Sequence, residues 1–320
     1  MTIPAPVPFA PVGPPTAAGG AALRAAADGD LVAIVGAPFA LAAKLVEEAG
    51  FDAVYLSGAA LSAGILGVPD IGLFSLEQLV EQTRILARAV TIPVVVDADT
   101  GFGGPREIEI AVRALEEAGA AAIQLEDQPG PGAGADKRCG HLGGKQVVDA
   151  GVMSERLAAA AAARRDPATV IIGRTDTRGV HGLDDCLARI DAYRAAGADW
   201  IFPEALASRD EFRRVGAAAA GRVPLLANMT EFGVSPLIAR DDLAAAGFSA
   251  VLYPVTLLRL AAKAMEAGLA MIADEGTQES LLDLMLTREE LYDLIGYDPA
   301  TPGPHRAGPA AVRAALENRP

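Results

Sequence analysis

The chain has few cysteines, no long apolar run and an excess of acidic residues. Its 320 residues include only two cysteines, Cys139 and Cys186, which cannot build a disulfide framework, so we expect a reduced, cytoplasmic protein. No apolar run is long enough to span a bilayer. The formal net charge of −14 at pH 7 argues against nucleic acid and anionic membranes as partners, because both are bound through basic faces.

A phrase that recurs four times along the chain predicts the fold. Each copy places Ala-Gly after a helical stretch and follows it with a spacer and a short apolar run, at residues 47–58, 116–127, 194–205 and 244–254. This order is typical of a helix that ends at glycine and is followed by a strand buried on both faces. Further strand candidates, at residues 31–38, 92–99, 169–176 and 223–230, alternate with these copies.

Eight alternating strand and helix units predict a parallel sheet. Because alternate strands share one sequence style, we predict a closed (β/α)8 barrel of the TIM type, in which odd and even strands supply alternate interior layers. The competing fold, an open doubly wound sheet, should carry a glycine-rich phosphate-binding turn after its first strand. The sequence VGAPFA at residues 35–40 is not such a turn.

The predicted barrel, residues 21–275, is flanked by segments of different composition. Residues 1–20 are rich in proline and small residues and lack the features of a signal peptide, which predicts a disordered tail. Residues 276–298 predict two short helices that cover their own barrel or pack on a neighbouring subunit, and Thr287 is the expected N-cap of the second. Residues 299–320 predict a flexible tail.

Polar residues follow nearly every predicted strand. In a (β/α)8 barrel the carboxyl ends of the strands form the active-site face, so these side chains should converge there. In strand order they are Ser57 and Gly58, Asp97 and Asp99, Glu126 and Asp127, Arg174 and Asp176, Glu204, Asn228 and Thr230, and Tyr253. This convergence is the strongest functional signal that the residues carry by themselves.

Asp97, Asp99 and Glu126 are the candidate metal ligands. Asp97 and Asp99 are two residues apart, so on a strand they point to the same side, and Glu126 comes from the neighbouring strand. Such carboxylates repel one another unless a cation lies between them, and an all-oxygen set suits Mg²⁺, with Mn²⁺ as a substitute. The alternative is a helix cap for one aspartate and an ion pair with Arg174 for the other; Glu126 and the glycine-rich loop after Asp99 favour the metal.

The segment DKRCGHLGGK, residues 136–145, places Cys139 among Lys137, Arg138 and His141. Cations beside a thiol favour its ionised form, which suits a thiol that takes part in catalysis. Cys186 lies on the apolar side of a predicted helix and is expected in the core.

Arg174 allows two interpretations. The planar guanidinium of Arg174 matches a substrate carboxylate, but it equally suits a structural salt bridge across the mouth of the barrel. From their sequence positions alone, Arg259 and Arg288 are expected on the solvated surface.

The motifs YLSG, DADTGFG, LEDQ, KRCGH, GRTD, PEA and NMTEFG occur in this order between about Ala22 and Asp298. Together they resemble the isocitrate lyase and phosphoenolpyruvate mutase superfamily. The chain is far shorter than typical isocitrate lyases and carries the Thr-Glu-Phe run that the phosphonomutases lack. It also has Arg259 and Arg288 where one branch keeps carboxylate-binding arginines. These features are similar to the branch that cleaves 2-methylisocitrate.

The resemblance implies a Mg²⁺-dependent retro-aldol cleavage of a tricarboxylate, 2-methylisocitrate, to pyruvate and succinate in propionate catabolism, by a homotetramer. It implies that Asp97 and Asp99 hold the metal, with Glu126 acting through water, and that Cys139 protonates the succinate carbanion. The implied catalytic residues are Cys139, His141, Arg174 and Glu204. The implied substrate-binding residues are Ser57, Gly58, Ala59, Asp97, Cys139, Gly140, Arg174, Glu204, Asn228, Thr230, Arg259 and Arg288.

Other functions stay open from the sequence. The same metal and much of the same pocket would serve a lyase or decarboxylase acting on isocitrate, 2,3-dimethylmalate or oxaloacetate. A phosphonate mutase or hydrolase would not require Cys139 and the two late arginines. A catalytically inactive binding protein is disfavoured because every expected position is filled, and a cysteine hydrolase using Cys139 and His141 leaves the carboxylates unexplained.

Overall fold

Eight short strands, buried along nearly their whole length, form one parallel sheet. The structure is a computed structural model and describes residues 17–130, 137, 138, 141 and 143–297. The strands are β1 Val32–Gly36, β2 Ala53–Leu56, β3 Val94–Asp97, β4 Ala122–Glu126, β5 Val170–Thr175, β6 Trp200–Pro203, β7 Leu226–Asn228 and β8 Ala250–Tyr253. Each strand lies within one of the apolar runs that predicted it.

The sheet closes on itself. Its strand order is β6-β5-β4-β3-β2-β1-β8-β7, with every ladder parallel. A single parallel bridge between Ile201 and Leu225 joins β6 to β7, where the Ile201 N–H donates to the Pro224 carbonyl at 3.0 Å. The predicted (β/α)8 barrel is therefore confirmed.

Helices surround the strands because each connection carries an amphipathic segment. The α-helices are α1 Gly20–Ala27, α2 Ala40–Glu48, α3 Gly58–Ala60, α4 Leu76–Ala89, α5 Pro105–Ala118, α6 Ala150–Ala163, α7 Leu183–Ala195, α8 Arg209–Ala219, α9 Arg240–Ala245, α10 Thr256–Glu275 and α11 Arg288–Ile295. A π-helix spans Leu61–Leu66, and 3₁₀-helices span Thr177–Gly179 and Glu279–Leu284. Among the described residues no helix has the length and apolarity needed to cross a membrane.

The core has two layers. An inner cluster inside the barrel contains large side chains such as Tyr55, Trp200 and Phe202, and an outer cluster fills the space between strands and helices. Leu23 of α1 belongs to the inner cluster and is fully buried, so α1 covers the amino-terminal end of the barrel.

The N-terminal boundary of the folded part differs from the predicted one. The Ala17 N–H donates to the Ala87 carbonyl at 3.0 Å, and α1 begins at Gly20. The tail predicted for residues 1–20 therefore does not include residues 17–20, while residues 1–16 lie outside the described part of the chain.

The C-terminal segment begins with an exposed helix and returns to the barrel at α11, which packs against α2. None of the 20 residues of α10 is buried, and Met265, Leu269 and Ile272 on it are 59%, 67% and 42% exposed. The two helices predicted after it are the 3₁₀-helix and α11, and Thr287 caps α11 in a capping box with Glu290, as predicted. The tail predicted for residues 299–320 lies outside the described residues.

Candidate active site

Three carboxylates converge at the carboxyl ends of β3 and β4. One oxygen of each of Asp97, Asp99 and Glu126 lies within 4.8 Å of the others, and all three side chains are buried. The predicted reason for this proximity was wrong, because β3 ends at Asp97 and Asp99 lies beyond it. Asp99 takes a left-handed backbone conformation, with φ of +50°, and its carbonyl accepts a hydrogen bond from the Glu126 N–H at 2.8 Å. A turn paired to β4 brings the two aspartates together.

Gly58, at the start of α3, lies directly against this cluster. Its N–H donates to Asp97 Oδ2 at 3.1 Å. A Cβ atom at this position would lie 3.2 Å from an oxygen of Asp97, from an oxygen of Asp99 and from the Phe74 ring. A Cβ at 3.2 Å would be a tight contact that these neighbours could relieve only by shifting, so glycine suits the close approach of the backbone to the carboxylates.

The cluster fits a hard divalent cation. Glu126 Oε2 is buried and has no hydrogen-bond partner among the described residues. Burial raises the pKa of Glu126 above its usual range and raises the pKa of Asp99 to about 7, although neighbouring cations lower both. A carboxylate oxygen without a hydrogen bond is costly in a dry interior, and an oxygen-only donor set of this size is the kind that Mg²⁺ binds.

Lys137 and Asp70 join the cluster, and the sequence reasoning missed both as site residues. The buried Lys137 ammonium contacts Asp99 and lies 2.9 Å from Asp70 Oδ1. Desolvation opposes the charge of Lys137, but the adjacent carboxylates outweigh it and raise the pKa of Lys137 well above its usual value. Asp70 follows the π-helix instead of a strand. The strand-end rule, by which polar residues directly after predicted strands are taken as site candidates, could therefore not find it.

Arg174, the fifth residue of β5, lies among three carboxylates. Its guanidinium makes two hydrogen bonds to Asp176, at 3.0 and 3.1 Å, and lies 3.2 Å from Glu204 Oε2 and 3.4 Å from Glu126 Oε2. The guanidinium carbon is 5.1 Å from the centre of the Phe202 ring. Arg174 thus forms the structural salt bridges that were one of its two interpretations. Its side chain also lines the cavity in which it could bind a substrate carboxylate, which was the other.

A second polar network fixes Asp176, the carboxylate that accepts two hydrogen bonds from Arg174. Asp176 also pairs with Lys145, at 2.7 Å, and its N–H donates to Asp127 at 2.9 Å. Asp127 is fully buried and accepts from Thr175 and Tyr193, both at 2.7 Å. These contacts fix the end of β5 against β4 and α7.

Glu204 connects three parts of the site. It accepts hydrogen bonds from Asn228 Nδ2 at 3.1 and 3.2 Å and lies 2.8 Å from His141 Nε2. The Val234 N–H donates to His141 Nδ1 at 2.9 Å, so the proton of the ring lies on Nε2 and points at Glu204. Burial alone would raise the pKa of Glu204, but Arg174 and His141 lower it below its usual value.

A cavity at this face of the barrel joins the cluster to the polar network. Nine of the predicted site residues line it: Ser57, Ala59, Asp97, His141, Arg174, Glu204, Asn228, Thr230 and Arg259. Tyr55 lines it too, and Phe202, Leu252, Pro254 and Val255 give it an apolar wall. Their apolar side chains gave no functional signal in the sequence.

Four predicted residues lie at the rim of the cavity, away from it or outside the described residues. Arg259 is 43% exposed and donates to the Glu231 carbonyl at 2.6 Å at the rim of the cavity. Arg288 does not line the cavity; it is the exposed first residue of α11. Cys139 and Gly140 lie outside the described residues, so their placement stays a prediction.

Cys186, on α7, lies in the core as predicted. Its side chain is fully buried, and burial raises the pKa of its thiol to about 12. A thiol of this kind is unreactive near neutral pH.

Comparison with known proteins identifies the family of the chain. The sequence model of the phosphoenolpyruvate phosphomutase family matches residues 26–273. The 2-methylisocitrate lyase of Aeropyrum pernix is 48% identical over 268 residues, which is 84% of each chain. Crystal structures of 2,3-dimethylmalate lyase (TM-score 0.80, 31% identity, 94% of both chains) and of phosphonopyruvate hydrolase with oxalate and Mg²⁺ (TM-score 0.77, 31% identity, 87% of this chain and 95% of that one) are similar in fold.

Proposed function

Because the chain belongs to the phosphoenolpyruvate phosphomutase family, we propose that it is a carbon–carbon lyase that cleaves 2-methylisocitrate to pyruvate and succinate. One observation carries the proposal: a single cavity joins the carboxylate cluster to Arg174, His141 and Glu204. The high identity to 2-methylisocitrate lyases over most of the chain supports this substrate before others.

The reaction breaks the bond between the carbinol carbon and the carbon that becomes C2 of succinate. The hydroxyl loses its proton and becomes the carbonyl of pyruvate, and the electron pair of the broken bond moves to the succinate carbon. A proton delivered to that carbon completes succinate. Negative charge therefore lies first on the hydroxyl oxygen of the pyruvate half and then on the succinate half, and preorganised cations must meet it at both places.

The cofactor that we propose is Mg²⁺, with Mn²⁺ as a substitute. Asp97 and Asp99 would hold it, with Glu126 acting through water, and the ion would supply charge stabilisation at the oxygens of the pyruvate half. Lys137 balances Asp99 from the other side of the cluster.

Cys139 is the proposed proton donor to the succinate carbanion. Its neighbours Lys137 and His141 are anchored to the site by Asp99 and by Glu204, so the backbone on either side of Cys139 is tied to the cavity. Since Cys186 is buried and inert, Cys139 is the thiol with which the assay variant must be made.

The apolar wall of the cavity supports a substrate with a methyl group on its carbinol carbon. Phe202 of β6 and Leu252 of β8 belong to the inner cluster of the barrel, and Pro254 and Val255 follow β8. Burying a methyl group against such side chains contributes about 0.8 kcal/mol or more, which would favour 2-methylisocitrate over isocitrate. Ser57, Ala59 and the side chains of Asn228 and Thr230 would contact the carboxylates.

We further propose a cytoplasmic homotetramer that acts in propionate catabolism. The exposed apolar stripe of α10, formed by Met265, Leu269 and Ile272, suits burial against another chain. Arg288 lies outside the cavity of its own chain, so we assign its proposed contact with a substrate carboxylate to the cavity of a neighbouring chain.

A coupled assay tests the function. The purified protein with Mg²⁺ receives 2-methylisocitrate or isocitrate, and pyruvate or glyoxylate is measured. We expect pyruvate from 2-methylisocitrate, a lower rate with isocitrate, and loss of activity with a chelator and in Cys139→Ser. Activity that survives Cys139→Ser would rule out Cys139 as the proton donor. Failure to cleave either substrate would move the function to 2,3-dimethylmalate, oxaloacetate or a phosphonate.

A further inference from the structure

One buried side chain, Gln124 of β4, connects the carboxylate cluster to the cavity wall. Gln124 is fully buried, its Nε2 donates to Asp97 Oδ1 at 3.0 Å, and its Oε1 accepts from the Tyr55 hydroxyl at 2.6 Å. Because the Asp97 carboxylate can only accept, the NH₂ group must face it, and the amide oxygen must face Tyr55. The orientation of the amide is therefore fixed by both neighbours.

The position of Gln124 is one at which an apolar side chain would be expected. Alternate residues of β4 point into the barrel, so Gln124 lies in the interior layers with Ala122 below it and Glu126 above it. A buried amide is costly unless it is hydrogen-bonded. Here both its donor and its acceptor are used toward residues of the site.

Asp97 is held in one orientation by its donors. Besides Gln124, Oδ1 accepts from the Asp99 N–H at 3.2 Å and Oδ2 accepts from the Gly58 N–H at 3.1 Å. Among the described residues Gln124 is the only side chain that donates to Asp97. The two backbone donors belong to the first residue of α3 and to the turn after β3, whereas Gln124 comes from a strand next to β3.

We propose that Gln124 is a positioning residue that sets the orientation of Asp97 toward the cation. It also directs the proton of Tyr55 away from the cavity, so that the Tyr55 oxygen faces the cavity as a hydrogen-bond acceptor. The proposal rests on the metal site of the proposed function. Residues that orient metal ligands in this way change metal affinity by about 10–100-fold when they are replaced.

The test is metal binding without substrate. Isothermal titration calorimetry with Mg²⁺ and Mn²⁺ should give about 10–100-fold weaker binding for Gln124→Met, which keeps the size of the side chain and removes both hydrogen bonds. Tyr55→Phe removes only the contact at the far end of the amide, so its metal affinity should stay within about threefold of wild type, a change below 1 kcal/mol.

A matched control separates positioning from general destabilisation. Thr83→Val removes a buried hydroxyl on α4, which donates to the Leu79 carbonyl at 2.8 Å and lies outside the site, so metal affinity should not change. The melting temperature of each variant is measured with and without metal. The positioning role predicts a smaller metal-induced rise for Gln124→Met, whereas a merely structural role lowers both temperatures equally.

Several outcomes overturn the proposal. If Gln124→Met loses stability but binds metal as wild type does, Gln124 is structural. If that variant does not fold, Gln124→Asn, which is too short to reach both partners, must show the weakened binding instead, and wild-type affinity there refutes the role. A wild-type protein that binds no metal refutes both this inference and the proposed cofactor, whereas normal metal binding without lyase activity refutes only the proposed substrate.

Discussion

At the scale of single residues, burial and charge pairing shift the pKa values of the site carboxylates in opposite directions. Glu204 and Glu126 are both fully buried carboxylates near Arg174, yet their pKa values shift in opposite directions. Glu204 has Arg174, His141 and Asn228 around it, whereas one oxygen of Glu126 has no hydrogen-bond partner among the described residues. The number of hydrogen-bonding and charged partners, more than the depth of burial, decides which of the two carboxylates is stabilised in its ionised form.

This difference predicts how stability depends on pH. Folding lowers the pKa of Glu204, so its stabilising contribution is fully present above the unfolded-chain value of about 4.3 and is lost as pH falls through the lower folded-state pKa. The free energy of unfolding of wild type should therefore exceed that of Glu204→Gln by an amount that shrinks as pH is lowered from about 6 to about 3. Urea unfolding at several pH values measures it.

Glu126 provides a comparison of opposite sign in the metal-free protein. Folding raises its pKa, so its ionised form destabilises the fold at higher pH. Glu126→Gln should become more stable relative to wild type as pH rises. If both variants changed in the same direction with pH, the contrast between the two carboxylates would be wrong.

Gly58 offers a second test at this scale. Gly58→Ala places a methyl group 3.2 Å from oxygens of Asp97 and Asp99, so the carboxylates must shift away from it by a few tenths of an ångström. We expect metal affinity, measured by titration, to fall at least about tenfold, as displaced metal ligands do. Gly151→Ala in α6 is the control, because a Cβ there meets nothing within 4 Å. Unchanged metal binding in Gly58→Ala would contradict the close approach.

The strand-end rule found much of this site and failed where chemistry lies elsewhere. It located Asp97, Glu126 and Glu204, because a buried run that ends in a polar residue is visible in one sequence. It missed Asp70, which follows a π-helix, and Gln124, which lies inside a strand and looks like a defect in an apolar run. A sequence shows where a strand ends, but not which distant loop folds back over it.

At the scale of elements, the end of β4 and helix α7 form one buried polar unit. Asp127 accepts hydrogen bonds from Thr175, Tyr193 and Arg189 and from the Asp176 N–H. The unit fixes Asp176, which in turn holds the guanidinium of Arg174. The strands and helices themselves were predictable because their apolar periods are local; this cross-link was not, because its members are far apart in the sequence.

Tyr193→Phe tests the cross-link. The hydroxyl donates to Asp127 at 2.7 Å and accepts from Arg189 at 2.9 Å, so its loss removes hydrogen bonds to charged groups. We expect the free energy of unfolding, from denaturant titration, to fall by about 1.5–3 kcal/mol. Tyr297→Phe, at a residue that is 47% exposed, should change it by less than about 0.5 kcal/mol. Equal effects of the two substitutions would contradict the cross-link.

At the scale of the whole molecule, α10 is the element that the barrel does not explain. Its first turn packs on its own chain, through Leu257 against the core and Arg259 against the Glu231 carbonyl, but none of its 20 residues is buried and its apolar stripe faces outward. Hydrophobicity along the sequence predicted the helix but not its direction. Which surface it covers depends on how the helix leaves the barrel, and periodicity does not contain that information.

Replacement of one residue of the stripe tests the assembly. Wild type should elute from gel filtration as a species of about four times the 32.7 kDa of one chain, and Leu269→Asp should elute as a smaller species, because a buried charge opposes association. Ile110→Asp on α5, at a residue that is 53% exposed, is the control and should elute as wild type does. A wild-type protein that elutes as one chain would refute the tetramer.

The single bridge between β6 and β7 makes that junction the seam of the barrel. Every other pair of neighbouring strands shares at least three registered residue pairs, so thermal breathing should open the wall here first. Above the seam, the Asn228 amide of β7 reaches the Glu204 carboxylate after β6 at 3.1 Å and acts as a side-chain clasp where backbone pairing is sparse. A ligand that binds both Asn228 and Glu204 would hold β6 and β7 together. Amide hydrogen exchange at Ile201, whose N–H bonds across this junction, should then slow even without a contact between the ligand and Ile201.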